Sequence, residues 1–273
     1  MVGKTEIKKR EVRGYEKFVK IIQNNIEYSS ICEEGYLEKD INKAASRFMQ
    51  DRHFLKVLGI LKLNGDERIL DFGAGRGLAS YAFVNKGFNA ITLEMSDSRI
   101  SGVRAMKKYK RNIRRRLKIV NGDAENMPFK KNSFDVAYCN HVLHHSADLY
   151  KMLKEVASAI KPGGILIAQS EVMRPPFTSD TKWKKNFLAA KLGANETLYS
   201  TFHYARAFKR AGLKYVKAIS LVDIEDIMKS QSLKGKIAYF FLSNKLIWNL
   251  FQRIYTYFGL PGNPIMIYGY KSR

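Results

Sequence analysis

Three groups of residues in this chain have the types and spacing to do chemistry. The first is Asp71-Phe72-Gly73-Ala74-Gly75-Arg76-Gly77. Glycines at 73, 75 and 77 permit a turn that lets a ligand approach the backbone and aims the next helix N-terminus at it. The pattern is D-x-G-x-G-x-G and not the G-x-G-x-x-G of a dinucleotide site, because position 78 is Leu. The second group is a pair of acids. Glu94 follows Asp71 by 23 residues (94 − 71), where a carboxylate can accept from both hydroxyls of a ribose. Asp123 lies in Asn121-Gly122-Asp123-Ala124-Glu125-Asn126-Met127-Pro128-Phe129. It can accept from an adenine amino group while Ala124 packs on the ring. The third group is His141, His144 and His145, whose imidazoles can move protons near neutral pH. No Cys or carboxylate cluster accompanies them at ligand spacing, so the sequence predicts no metal site.

These residues need elements to hold them. Arg68 to Phe72 is a short apolar run ending in glycines and reads as a buried strand. A helix over about 76–86, a strand over 89–94, a basic helix over about 98–116 and a strand over 117–121 follow. Strands at 134–139 and 165–170 flank a helix over about 149–160 and the turn Pro162-Gly163-Gly164. A helix near 204–211 and strands over 214–222 and 264–270 complete the series. Strands alternating with helices predict a doubly wound α/β fold with a mostly parallel sheet. Residues 1–62 read as an N-terminal helical cap, 63–222 as the core, 223–262 as a helical aromatic insertion and 263–273 as the last strand.

Five ordered segments carry a resemblance. They are Ile69 to Gly77, Gly122 to Phe129, Ser133-Phe134-Asp135, Val142-Leu143-His144-His145 and Ile160 to Gly164. Over about residues 66–171 the chain resembles the class I S-adenosylmethionine-dependent methyltransferases, in particular the ubiquinone/menaquinone-biosynthesis and small-molecule group. The resemblance implies a Rossmann-like sheet of seven strands, the last antiparallel, and S-adenosylmethionine as cofactor. It implies that Gly73, Ala74 and Gly75 line the methionine and ribose, that Asp71 helps hold the amino group, and that Glu94 takes the ribose hydroxyls. Met95 then covers one adenine face, Asp123 and Ala124 contact the adenine, and the Asn140 backbone carbonyl meets the methionine ammonium. His141 and His145 are the candidate catalytic bases. Cys139-Asn140-His141-Val142 lacks the Asn/Asp-Pro-Pro-Tyr/Phe of enzymes that methylate base amines. Cys139 reads as a buried structural thiol.

Composition bounds the partner. The chain has 273 residues and 48 Lys+Arg against 25 Asp+Glu, a net charge of +23. Such an excess points to an anionic partner. Nine of the cations fall in residues 101–120 without an acid, a block placed away from the methyl-transfer side. In the insertion, a polar stripe of Lys245, Asn249, Gln252, Arg253 and Thr256 faces a wide apolar surface that includes Phe240, Phe241, Leu250 and Ile254. Packing against the domain or a second subunit is one reading; contact with a lipid-linked substrate or a membrane surface is the other. The N-terminus has no signal-peptide core, and two free cysteines, Cys32 and Cys139, point to a reducing cytoplasm. The expectation is methyl transfer to a small or lipid-linked metabolite. An RNA methyltransferase and a non-catalytic binding protein of the same fold are the alternatives.

Overall fold

The computed structural model describes residues 4–179, 181–224 and 242–273. One sheet of seven strands organises it, in the order β3-β2-β1-β4-β5-β7-β6. The strands are β1 (Arg68–Phe72), β2 (Asn89–Glu94), β3 (Lys118–Asn121), β4 (Phe134–Asn140), β5 (Ile160–Met173), β6 (Leu213–Ser220) and β7 (Asn263–Lys271). β1 to β5 pair in parallel, whereas β7 runs antiparallel to both β5 and β6. The order reverses at β1, and the sites of such sheets lie there, beyond the carboxyl ends of the strands.

Both faces of the sheet are covered. On one, Leu153 and Val156 of α7 (Leu149–Ala159) and Tyr204 and Phe208 of α10 (Thr201–Arg210) pack with Leu70, Phe72 and Leu166. On the other lie α3 (Ile41–Phe48), α4 (Arg52–Leu61) and α5 (Leu78–Asn85), with Phe48, Phe54 and Phe83 against Tyr138 and Ile167. These helices start on side-chain caps. Asp40, Asp51, Asp148 and Ser200 each accept from a backbone N–H of the first turn of α3, α4, α7 and α10.

The segment before β1 is broken into four helices. α1 (Lys4–Asn24) and α2 (Ser29–Glu34) precede α3 and α4. Phe18, Val19 and Ile22 of α1 form a separate small core with Ala189 of α9 (Leu188–Lys191) and with Ala194. α8 (Thr181–Asn186) leads into α9.

The basic segment differs from its expected form. Instead of one helix over 98–116 there is a loop held by Ser96 and Ser98, a 3-10 helix (Val103–Lys108) and a single turn, α6 (Arg111–Arg114). A long helix would place like charges four residues apart with no acid to offset them. The Ser hydroxyls offer the backbone other partners, and Met106, Tyr109 and Ile113 pin the segment to the core. α11 (Lys245–Phe258) precedes β7. Phe240 and Phe241 of the expected apolar surface lie outside the described residues.

Candidate active site

The glycine turn after β1 is built for close approach. Gly73 sits at φ 61° and Gly75 at φ 55°, a region costly for residues with a Cβ. A Cβ on Gly73 would come within 2.6 Å of Val142. Ala74 N–H donates to the Leu93 carbonyl at 3.2 Å.

Glu94 ties three crests together. One carboxylate oxygen accepts from Gly75 N–H and the other from Ser96 N–H, both at 2.7 Å, while its carbonyl accepts from Gly122 N–H at 3.1 Å. Each oxygen keeps a lone pair for a further donor. Burial pushes its pKa up. Asn121 donates to the carbonyls of Glu94 and Met95, and Met95 is exposed.

Asp71 lies beneath the turn. Its Oδ2 accepts from Ser80 N–H at 2.9 Å and Ser80 Oγ–H at 2.6 Å, which anchors the first turn of α5. Burial raises its pKa to about 7. Asp123 accepts from its neighbour Glu125 N–H at 2.8 Å and pairs with Lys8 of α1 at 2.5 Å. Ala124 is buried beside it. Asn140 ends β4 with a buried Oδ1 that has no partner among the described residues.

Beyond Asn140 the chain makes a sharp turn. His141 has φ 56°, unusual for a residue with a side chain. Its ring is accessible yet closely surrounded, as a cleft-lining side chain is; that crowding, with His144 beside it, pushes its pKa down to about 4. Cys139 is fully buried, which drives its thiol pKa well up, so it is no nucleophile.

The remaining histidines meet acids that lie far away in sequence. His144 Nδ1 pairs with Glu171 of β5 at 2.7 Å. Glu171 also accepts from the backbone N–H groups of Val142, Leu143 and His144. Burial alone would raise the Glu171 pKa, but His144 and these amides outweigh it and hold it low. His145 Nδ1 lies 3.2 Å from Glu11 of α1 and 3.7 Å from Glu196. Burial works to lower its pKa, and the two acids outweigh this and raise it. The carboxylates missing around the histidines in sequence are therefore supplied by the fold, which removes the ground for excluding a metal. The reason is that β5, the loop after α9 and α1 all converge on the turn after β4.

α1 owes its position to one glycine. A Cβ on Gly14 would fall 2.3 Å from Ala194 N. This contact seats Glu11 against Asn195 N–H and Tyr15 against His145, with ring centroids 5.9 Å apart. Burial pushes the Tyr15 hydroxyl up to about 12. Sequence reasoning missed Lys8, Glu11, Glu171 and Glu196. Only Glu171 left a signal, as a lone acid inside the apolar run Ile165 to Met173. His203 stacks on Tyr199 at 4.8 Å, and buried Tyr204 donates to the Val172 carbonyl, so both are structural.

A doubly wound sheet with an antiparallel β7, a glycine turn after β1 and an acid ending β2 defines a class I methyltransferase domain. Residues 70–168 match the family model described as "Methyltransferase domain". S-adenosylmethionine is the cofactor of this class, and the donors and acceptors present fit it. The Gly75 turn admits its backbone approach, Glu94 has acceptors for hydroxyls, and Asn140 has an unmatched acceptor.

Among curated relatives, a glycine/sarcosine/dimethylglycine N-methyltransferase of Actinopolyspora halophila is 27% identical over 183 residues, 66% of this chain and 30% of the relative. A sterol 24-C-methyltransferase of Aspergillus fumigatus is 28% identical over 163 residues, 58% of this chain and 43% of the relative. This chain thus spans less than half the length of either. Among solved structures, Haemonchus contortus phosphoethanolamine N-methyltransferase 2, in complex with S-adenosyl-L-methionine, superposes with a TM-score of 0.59 at 15% identity. The superposition covers 94% of this chain and 60% of that one and shows a shared fold.

Proposed function

We propose that this chain transfers a methyl group from S-adenosylmethionine to a small or lipid-linked metabolite by in-line displacement. The observation that carries the reading is the junction at Glu94, whose side chain and carbonyl tie together the crests of β1, β2 and β3. Gly73, Ala74 and Gly75 line the methionine and ribose, and Glu94 takes the ribose hydroxyls. Met95 and Ala124 cover the adenine, and Asp123 accepts from its amino group in place of Lys8. The Asn140 carbonyl receives the ammonium. Asp71 acts one step back, by fixing α5 beneath the turn.

When bound, the cofactor supplies an electrophilic methyl on a sulfonium, so the protein's part is orientation and exclusion of water. α1 crosses the mouth and excludes water there. His141, lining the cleft next to Asn140, accepts the proton where the acceptor must lose one.

The acceptor class follows from α11. Leu246, Leu250, Ile254 and Phe258 recur every fourth residue and are exposed, joined by exposed Phe202. Such a face suits a lipid chain or the surface that carries it. The sterol enzyme among the relatives supports this reading. No helix among the described residues is long and apolar enough to cross a membrane.

Calorimetry with S-adenosylmethionine tests the proposal. The wild type should bind one equivalent. Glu94→Gln keeps the shape but loses a charge-assisted acceptor, worth about 1.5–3 kcal/mol, and should weaken binding about 10- to 100-fold. Absence of binding by the wild type would overturn the reading.

A further inference from the structure

Glu196 is a buried carboxylate without a hydrogen bond. It is 4% exposed, and among the described residues its oxygens meet only two imidazole nitrogens, His144 Nε2 and His145 Nδ1, each at 3.7 Å. That is too long for a hydrogen bond. A carboxylate so placed has acceptor lone pairs available for a further partner.

The spacing suits a metal ion better than a proton. Nitrogen and oxygen ligands about 2.1 Å from a tetrahedral ion lie about 3.4 Å apart. The three ligand atoms offered by His144, His145 and Glu196 all lie within 4.8 Å of one another. His144 has the supporting contact that metal-bound histidines use, while His145 Nδ1 also lies 3.2 Å from the Asn195 carbonyl. Glu171 holds His144 Nδ1 at 2.7 Å, which fixes the tautomer whose Nε2 lone pair faces Glu196. Glu171 is itself locked by three backbone amides. A fourth ligand is at hand, because one oxygen of Glu11 lies 3.2 Å from His145 Nδ1 while the other takes Asn195 N–H.

We propose that His144, His145 and Glu196 bind a divalent transition-metal ion of the zinc type, with Glu11 closing the set from α1 and Glu171 backing His144. Imidazole with carboxylate selects such ions over calcium or magnesium. The ion joins the turn after β4, the loop after α9 and the N-terminal helix, and so clamps α1 over the cleft. The proposal does not rest on the methyltransferase reading, and cofactor binding is measured separately.

The test uses the full chain stripped with a chelator. Zn(II) is titrated by calorimetry and Co(II) by visible absorption. One saturable equivalent is expected, with the d–d bands of a low-coordinate nitrogen–oxygen site. Glu196→Gln should abolish those bands, and Glu171→Gln should weaken binding about 10- to 100-fold. Glu11→Gln should weaken it while keeping the other ligands. Circular dichroism of the stripped variants confirms folding, and His145→Gln replaces Glu196→Gln if the latter does not fold. Lack of saturable binding by the wild type, or equal binding by the wild type and the folded Glu196→Gln or His145→Gln variant, overturns the proposal; the second result would mean an adventitious ion only.

Discussion

The two halves of the sheet treat their buried acids differently. In the half built of β1, β2 and β3, Asp71 and Glu94 are held by backbone amides and by one hydroxyl from nearby turns. In the half bounded by β4 and β5, Glu171, Glu196 and Glu11 face imidazoles and come from three separate parts of the chain. The first arrangement is preorganised by local geometry and presents acceptors to a ligand. The second depends on docking of α1 and of the loop after α9. It gathers three carboxylates around two imidazoles. One half is a cradle whose shape is set early along the chain; the other is a clamp that exists only once the whole fold is in place.

The largest break in this comparison should come from Gly14→Val. The added side chain meets the backbone of Ala194, which cannot yield as a side chain would. Overpacking of this kind costs about 3 kcal/mol. Thermal melts should show that loss, and proteolysis should cut within residues 4–24, while the β1–β3 half keeps its cofactor affinity within a small factor. Loss of cofactor binding to the same degree would show that the halves are not independent.

Gly73→Ala attacks the cradle instead. The left-handed backbone costs about 1–2 kcal/mol once a Cβ is present, and Val142 must move as well. Cofactor affinity should drop by about tenfold or more, read by calorimetry, with little change in proteolysis of α1.

Asp71 separates the halves by pH. Its folded pKa of about 7 lies above the ordinary 3.8. Between those values the folded chain holds a proton that the unfolded chain has released, so stability falls as pH rises from about 4 to 7 and levels off above. The slope from this group is about 1 kcal/mol per pH unit. Denaturant melts across that range should show Asp71→Asn with a flatter profile than the wild type, since the amide oxygen still accepts from Ser80. Equal slopes would show that Asp71 stays ionised.

The smallest effect belongs to Lys8→Met. The Lys8–Asp123 pair is partly exposed, and such pairs contribute about 1 kcal/mol or less. Removing Lys8 frees Asp123 for an adenine amino group, so cofactor affinity should rise by about two- to fivefold. A fall would mean that Lys8 itself touches the ligand.

The cradle was legible because its signals are local. A glycine pattern after an apolar strand and an acid at the end of the next strand are readable within 30 residues, and the sheet order follows from the handedness of the crossovers. The same holds for β7, whose antiparallel course agrees with the expected fold. One local reading went astray. The basic stretch was read as a helix from its length and composition, where repulsion and serine side chains produce a 3-10 turn and one helical turn. Asp71 was expected to help hold the cofactor, and Ser80, nine residues on, engages one of its carboxylate oxygens, a contact the sequence did not announce. In the clamp, Glu11 and Glu196 carry no pattern at all. Nothing near either residue in sequence shows that both will face His145.

The charge of +23 also divides along these lines. Its densest block, residues 101–120, is a solvated edge pinned by Met106, Tyr109 and Ile113. The exposed apolar stripe lies elsewhere, on α11.

The sequence by itself determined the fold class, the methyltransferase resemblance, the cofactor and the position of the glycine turn, Glu94 and Asp123. The fold class and the glycine turn depend on periodicity and on spacing within one βα unit, where chain connectivity alone brings the residues together; the cofactor follows from the family resemblance. The tertiary structure alone decided that α1 lies across the cleft, that Lys8 meets Asp123, and that three distant acids close on two adjacent histidines. Those contacts join residues from 27 (171 − 144) to 134 (145 − 11) positions apart and arise from packing details such as the missing Cβ of Gly14, which has meaning only when Ala194 is already beside it.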